Sequence, residues 1–360
     1  MDNATIGAAV GACIDDSGHS RKKVAEAAHM QASALTRSIQ GERTFKSVEL
    51  AWIADFLGLS IDSLIGRTSL PFAAAARAGG GVNAHLDPEL SEKALKLYER
   101  RIGLAELGVG SVLSFPVIPP GTSPKRTAGI VVQHIRQFVG DGVLGDVDEL
   151  ASAIEEAFGI DVWVTPLPEG IDGYCIQARN KQVGAIIANS TNSPQRIRFT
   201  IAHELAHLVC EHNTSHHRDV IDYDSADPIE RVANEIASAI LMPRDKLVDR
   251  DSWSPEQLAQ EAYRFRVAPI AFAARVHSRF YAQQLPTLAG AWPDPPLCME
   301  PYSAWHERNC QERKPRLLLH DLALAYCEKR TTIRPFADLA GIDDVDEARE
   351  AARAEVAITA

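Results

Sequence analysis

The pentapeptide H-E-L-A-H at residues 203–207 is the strongest chemical signal in the sequence. Two histidines four positions apart lie on one face of an α-helix, about 6 Å apart along its axis, so both imidazoles can bind one metal ion. Imidazole nitrogen suits zinc, at a bond length of about 2.0–2.1 Å. Glu204 projects from the position next to His203 and can act as a general base on a water molecule. The pattern therefore predicts a metal-dependent hydrolytic site that contains His203, Glu204 and His207.

A catalytic zinc needs a third protein ligand, and the helical pattern that follows Asp227 contains two glutamates. Glu230 borders the apolar stripe of this helix, whereas Glu235, about 140° away around the axis, is expected to face solvent. We therefore predict Glu230 as the ligand. Its alternative role is in a capping box with Asp227 as the N-cap. Asn234, one turn after Glu230, is expected to accept the second ring N–H of a ligand histidine.

The elements that position these residues can be predicted from periodicity. Helices are expected near residues 128–139, 146–158 and 194–243, and the runs I-D-V-W-V-T and V-G-A-I-I-A-N indicate strands. Residues 71–81, which read P-F-A-A-A-A-R-A-G-G-G, are typical of a linker because their small side chains bury little area. A connecting helix is expected after Asp87.

Residues 1–66 contain short helical patterns, and residues 24–41 have the spacing of a helix-turn-helix motif, with a turn near His29. This segment carries six basic and eight acidic side chains, so its sequence-independent attraction to DNA is expected to be weak. A small bundle that dimerises or docks another protein is therefore the alternative to DNA binding. A symmetric dimer would still concentrate the basic residues on one side.

The composition excludes several classes of protein. Hydrophobic residues make up 46% and charged residues 24% of the 360 positions, which is typical of globular proteins and not of collagen, long coiled coils or disordered chains. A net charge of −11 excludes a general attraction to nucleic acid or anionic lipid. The six cysteines form no C-x-x-C pair, which favours reduced thiols and a cytoplasmic location. No window of about 18 apolar residues predicts a membrane span.

Two longer strings in the central region resemble the ImmA/IrrE-type metallopeptidases. They are S-P-Q-R-I-R-F-T-I-A-H-E-L-A-H-L-V and I-E-R-V-A-N-E-I-A-S-A-I-L-M-P, and the resemblance extends over residues 127–279, including D-G-Y-C-I and V-G-A-I-I-A-N. It implies that zinc, with manganese as the other option, is held by His203, His207 and Glu230, and that Glu204 is the catalytic base. Known members are regulatory proteases that cleave Xre-type repressors, so the implied substrate is an Xre-type repressor or antitoxin.

The N-terminal strings V-A-E-A-A, S-A-L-T-R-S-I-Q-G-E-R-T and L-G-L-S-I-D-S-L-I-G resemble the Xre or phage-repressor type of helix-turn-helix domain, over residues 5–66. The resemblance implies operator DNA as a partner, with the second helix of the motif in the major groove. The residues that it places against bases are Gln31, Ser33, Ala34 and Arg37, and those that it places against phosphates are Arg43 and Lys46.

These observations predict a helix-rich α+β protein of four segments. They are a five-helix helix-turn-helix bundle at residues 1–66, a linker with a connecting helix at 67–124, a zincin-like metallopeptidase domain with a small sheet at 125–284, and a Pro-rich connection with a helical region of unknown role at 285–360. A homodimer is compatible with this organisation.

Two functions are consistent with the sequence. The first is a zinc endopeptidase that acts on a repressor or antitoxin, with a fused DNA-binding domain that controls transcription. The second is a DNA-binding regulator whose peptidase-like domain is a sensor or dimerisation scaffold. The presence of Glu204 favours the first, because a scaffold needs no general base. His212, His216, His217 and Tyr223 are weaker candidates, for stabilising the oxyanion.

Overall fold

The structure is a computed structural model of the 360-residue chain. It describes residues 3–17, 19–57, 61–65, 72–78, 88–119, 121–178, 183–210, 228–250, 253–276 and 300–359. The chain divides into two compact units, Met1–Phe72 and Ala73–Ala360.

Short helices build the described part of the first unit. They are α1 (Asn3–Asp16), α2 (Arg21–Ala27), α3 (Ala32–Ile39), α4 (Ser47–Leu57) and α5 (Ile61–Leu64). The Ser20 hydroxyl accepts a hydrogen bond from the Lys23 backbone N–H and caps α2. Gly7 lets α1 approach the end of α3, because a Cβ at this position would lie 2.4 Å from the carbonyl oxygen of Ile39. The helices enclose a small apolar core that includes Val10, Ile14, Val24, Leu35, Ile53 and Leu64.

The second unit combines helices with one sheet, so the helix-rich α+β class predicted from the sequence is confirmed. Its elements begin with the strand β1 (Phe72–Ala78), α6 (Pro88–Glu106), α7 (Pro124–Val139), α8 (Val147–Phe158), β2 (Asp161–Thr165), β3 (Ile171–Ala178) and β4 (Gly184–Asn189). They continue with α9 (Pro194–Val209), α10 (Pro228–Leu241), a 3-10 turn (Arg244–Lys246), α11 (Pro255–Arg264), α12 (Pro269–Arg275), α13 (Tyr302–Asn309), α14 (Arg316–Cys327), α15 (Arg334–Ala340) and α16 (Val345–Thr359).

The strand order in the sheet is β1-β3-β4-β2. β2 runs parallel to β4, with Val162 opposite Ile186, and β3 runs antiparallel to β4, with Tyr174 opposite Ile187. Every residue of β3 and β4 is buried, including the polar Asp172, Gln177 and Asn189. Helices α8 and α9 pack against this sheet. None of the described helices has the length and apolar character needed to cross a bilayer.

Part of the segment that the sequence assigned to a linker is a strand. Residues 72–78 form β1 at one edge of the sheet. Farther along, Leu113, Phe115 and Ile118 pack against the core of the second unit, and the Ser114 backbone N–H donates to the Phe158 carbonyl at 2.9 Å. These apolar side chains lie close to the prolines on which the linker prediction relied. The connecting helix is α6.

The described C-terminal residues 300–359 lie within the second compact unit. Val164 of β2 and Arg313 exchange two backbone hydrogen bonds of 2.8 Å. Arg101 of α6 donates to both carboxylate oxygens of Asp161 at 2.5 Å and also to Asp321 of α14. We call Arg101, Asp161 and Asp321 the Arg101 cluster. These contacts join residues up to 220 positions apart, which local sequence patterns do not reveal.

Candidate metal centre

Helix α9 carries the H-E-L-A-H sequence and lies directly on the sheet. A Cβ on Gly173 of β3 would lie only 2.5 Å from the Thr200 side chain, so glycine is required for α9 to come this close. Thr200 precedes His203 by about one helical turn. The close approach therefore fixes the height of the histidines above β3.

Arg198 anchors the same helix from its other side. Its guanidinium is fully buried and donates to the backbone carbonyls of Phe265 at 3.1 Å, Leu144 at 2.5 Å and Arg266. Burial lowers the pKa of Arg198 to about 9, and the negative charges of Asp146 and Glu149 offset this effect only in part. This anchor is not predicted from the sequence, although a charged residue between two apolar ones in a buried helix is a usable signal.

His203, His207 and Glu230, which we call the trio, converge between α9 and α10. His203 Nε2 lies 2.9 Å from His207 Nε2 and 3.2 Å from Glu230 Oε2, and His207 Nε2 lies 3.5 Å from Glu230 Oε1. All three residues are buried, and their ligand atoms lie within 4.8 Å of one another. Ligand atoms on one tetrahedral zinc, at bonds of about 2.1 Å, are about 3.4 Å apart. The donor types and their spacing therefore fit a metal ion.

Asn234 orients one of the imidazoles. Its Oδ1 lies 3.0 Å from His203 Nδ1, and because an amide oxygen only accepts, Nδ1 carries the ring proton. The lone pair of His203 Nε2 then points toward the trio's centre. This arrangement is the usual way in which a neighbouring polar group prepares a histidine for metal binding. The structure thus brings Asn234 to the ring for which the sequence suggested it.

The electrostatics of the trio call for a cation. Burial raises the pKa of Glu230, but the adjacent rings of His203 and His207, when they are protonated, outweigh this effect and lower the pKa to about 2. Among the described residues, no arginine or lysine forms an ion pair with Glu230, so within this part of the chain a proton or a metal ion would balance a buried carboxylate that faces two imidazole nitrogens.

The two other glutamates of these helices lie in different environments. Glu204, next to His203, is fully buried, and both of its carboxylate oxygens are inaccessible to solvent. Glu235 is 37% exposed and pairs with Arg275 at 3.0 Å, so it does not belong to the trio. Asp227, the partner in the alternative capping box of Glu230, lies outside the described residues, and so do His212, His216, His217 and Tyr223.

The residues suggested for DNA contact lie at the N-cap of α3, on α3 and after it. Gln31, Ser33, Arg37 and Lys46 are exposed, and Ala34 is half-buried. Arg43 differs from them, because its guanidinium makes two hydrogen bonds to the Glu49 carboxylate, at 2.6 and 2.9 Å. This hydrogen bonding raises the pKa of Arg43. Arg43 therefore holds the bundle together, and its contact with phosphate stays a prediction.

Comparisons with known proteins bear on the central part of the chain. Residues 155–277 match the family model described as the IrrE N-terminal-like domain, Peptidase_M78. This match covers 123 of the 360 residues and includes β2, β3, β4 and the whole trio. Neither the curated proteins nor the solved structures that were searched include a match to the chain. Residues 155–277 are thus similar to the IrrE N-terminal-like domains, a peptidase family whose members are typically metal-dependent.

Proposed function

We propose that this chain is a zinc-dependent endopeptidase that acts as a regulatory protease on an Xre-type repressor or antitoxin. The observation that carries the proposal is the convergence of His203, His207 and Glu230, with the buried Glu204 next to His203. The match to the IrrE N-terminal-like domain supports the same class of hydrolase.

The residues divide the chemical work. The two Nε2 atoms and the Glu230 carboxylate would hold zinc, and Asn234 keeps the tautomer of His203 that leaves Nε2 free of its proton. When bound, zinc supplies Lewis acidity that polarises the scissile carbonyl and lowers the pKa of a water molecule. Glu204 would take a proton from the attacking water and deliver it to the departing amine, so that one carboxyl serves as base and then as acid.

The first unit would connect this activity to transcription. Its exposed Gln31, at the N-cap of α3, and the exposed Ser33 and Arg37 on α3 support operator binding as the second part of the proposal. The alternative function, a DNA-binding regulator with a peptidase-like scaffold, uses the same surface but leaves Glu204 without a task.

Replacement of Glu204 separates the two functions. Purified wild type and Glu204→Gln are incubated with candidate Xre-type repressors, and the products are examined for a discrete pair of fragments. We expect cleavage by the wild type only, with a rate at least about 10²-fold lower for Glu204→Gln, because the amide cannot accept a proton.

Metal analysis completes this experiment. Glu204→Gln should retain as much zinc as the wild type, so that the loss of cleavage is not a loss of metal. Glu235→Gln is the matched control on α10 and should cleave normally. Equal cleavage by Glu204→Gln and wild type would contradict the endopeptidase proposal, as would cleavage that persists after chelation.

A further inference from the structure

A cleft in the second unit lies on the side of α10 that faces away from the trio. It is bounded by α7, α10, residues 243–253 and the end of α12, and it encloses about 1120 Å³. We call it the α7–α10 cleft. Ala239 of α10 lines it and lies about 180° around the helix axis from Glu230 of the trio. Clefts of roughly 300–1,000 Å³ are typical of sites for small molecules, so this one is large enough for such a ligand.

The charge of the α7–α10 cleft is opposite to that of the chain. Of the described residues, six basic and three acidic ones line it, whereas the whole chain has a net charge of −11. The six basic residues are Lys125, Arg136, Arg231, Arg244, Arg250 and Arg275. A concave surface with an excess of one charge concentrates ions of the opposite charge. The cleft therefore attracts anions.

Two of these cations have carboxylate partners and hold the walls of the cleft together. Arg136 of α7 pairs with Asp245 of the 3-10 turn at 2.7 Å. Arg275 of α12 pairs with Glu235 of α10 at 3.0 Å. Because each pair joins two different walls, these four residues shape the cleft and leave the binding of an anion to the other cations.

The other four cations are available to a ligand. Within the part of the chain that the structure describes, no carboxylate forms an ion pair with these exposed residues, which are Lys125, Arg231, Arg244 and Arg250. The guanidinium carbon of Arg250 lies 5.4 Å from the centre of the Trp253 ring, and this contact holds Arg250 in place. Three of the four are arginines, whose planar guanidinium can bind two phosphate oxygens at once. The set is therefore suited to a ligand with more than one negative charge.

Apolar side chains form the remaining wall of the cleft. Val132 of α7, Val232 of α10 and Leu247 are half-buried, and the buried Ala128 and Ala239 lie beside them. An inorganic anion would leave this wall in contact with water, whereas the uncharged part of an organic ligand would cover it. The ligand that fits thus combines an apolar body with a multiply charged group.

We propose that the α7–α10 cleft binds a phosphorylated small molecule of the nucleotide class, with its phosphates on the four cations and its base and sugar against the apolar wall. The walls come from several elements of one unit, which favours a compact ligand over a polymer. This site goes beyond the proposed function, because it lies on the opposite face of α10 from the trio and needs neither the metal nor Glu204.

Binding of ADP tests the proposal. Isothermal titration calorimetry is performed on the full chain with ADP, adenosine and inorganic pyrophosphate in turn. We expect ADP to bind at least about ten-fold more tightly than adenosine, which lacks the charge, and than pyrophosphate, which lacks the apolar body. No binding of ADP, or an equal affinity for ADP and either fragment, would overturn the proposal. Tighter binding of hexaglutamate or of a short oligothymidylate would also overturn it, because the cleft would then be a site for a polymer.

Charge reversal shows whether ADP binds in the cleft. Arg231→Glu combined with Arg244→Glu should weaken the binding of ADP at least about ten-fold. Arg334→Glu combined with Arg353→Glu makes the same change of charge at exposed arginines outside the cleft and should leave the affinity unchanged. Thermal melts check that both proteins fold; if the first does not, Arg231→Gln combined with Arg244→Gln should weaken binding several-fold. Equal losses in the two double variants would overturn the proposal, since the effect would then be one of overall charge.

A last variant distinguishes the cleft from the trio, because the phosphates of ADP can also bind a metal ion. His207→Ala lacks one of the proposed zinc ligands, yet it should bind ADP as tightly as the wild type does. If folded His207→Ala lost ADP while Arg231→Glu with Arg244→Glu kept it, the ligand would bind at the metal and the cleft would be assigned wrongly. None of these measurements depends on cleavage, so failure of the peptidase proposal would leave this result unchanged.

Discussion

The trio and the Arg101 cluster are both buried groups of ionisable side chains, but only the Arg101 cluster contains its own counter-charge. Arg101 binds Asp161 and Asp321, with Asp161 fully buried and Arg101 7% exposed. Burial raises the pKa of Asp161, while the charge and hydrogen bonds of Arg101 oppose that rise. In the trio, the only other groups are two imidazoles.

This difference distinguishes a buried group that stabilises the fold from one that can bind a ligand. A carboxylate buried with a guanidinium is satisfied within the fold, and the pair holds chain segments together. A carboxylate buried with two imidazole lone pairs is satisfied only when something else enters. The source of the counter-charge is therefore a better guide to a functional site than burial, which the two groups share.

The largest effect is expected when the Arg101 cluster loses its cation. Arg101→Met leaves two buried aspartates without their partner, and we expect a loss of about 3–5 kcal/mol in the free energy of unfolding. Lys96→Met, an exposed position on the same helix, should cost less than about 0.5 kcal/mol. Denaturant titration measures both values. If folded Arg101→Met lost zinc, the Arg101 cluster would not be independent of the trio, and the distinction between the two groups would be wrong.

Removal of the metal should lower the stability only of proteins in which the trio is intact. Chelation should lower the free energy of unfolding by about 2.7 kcal/mol if zinc is present at 100 times its Kd. Glu230→Ala and His207→Ala should contain no zinc and should not respond to chelator, whereas Glu235→Ala should match the wild type. Thermal unfolding and metal analysis test this together. If Glu235→Ala lost zinc and Glu230→Ala kept it, the trio would be assigned wrongly.

A smaller effect is expected at the residue that prepares His203. Asn234→Ala removes the acceptor of the Nδ1 proton, and we expect the affinity for zinc to fall by about 10–100-fold with the fold intact. Competition with a chromogenic chelator gives the affinity. Asn234→Asp, which keeps an acceptor, should restore most of it; an affinity unchanged in Asn234→Ala would mean that the ring is oriented by other contacts.

The smallest effect extends the comparison to the first unit. Arg37 is exposed, whereas Arg43 is charge-matched by Glu49, as Arg101 is by its aspartates. Arg37→Ala should therefore weaken operator binding by about 1 kcal/mol, roughly five-fold in Kd, without a change in Tm. Arg43→Ala should instead lower Tm. Gel shifts with the upstream region of the gene, together with thermal melts, separate the two; a reversed pattern would show that Arg43 is the DNA contact.

The residues of the trio could be found from the sequence because their spacing is local. The i, i+4 histidines share a face in any helix, and the apolar stripe of α10 distinguishes Glu230 from Glu235. Strand β1 could not be found, because four alanines favour a strand only when β3 supplies the partner. Arg101 and Asp321 were also missed, since no periodicity connects residues that far apart in the chain.

The pairing of Val164 with Arg313 has a consequence for how the protein folds. Val164 of β2 and its backbone partner Arg313 are separated by about 150 residues in the chain. Asp161 and Asp321, which both bind Arg101, are separated by a similar number of residues. Contacts between residues so far apart in sequence slow folding, because the chain loses the conformational entropy of closing a long loop before the contacts stabilise it. During synthesis, α9 and α10 leave the ribosome well before α14 does, so the candidate metal helices exist for a time without one border of their sheet. We therefore expect the second unit to complete its fold only after translation reaches its C-terminal helices.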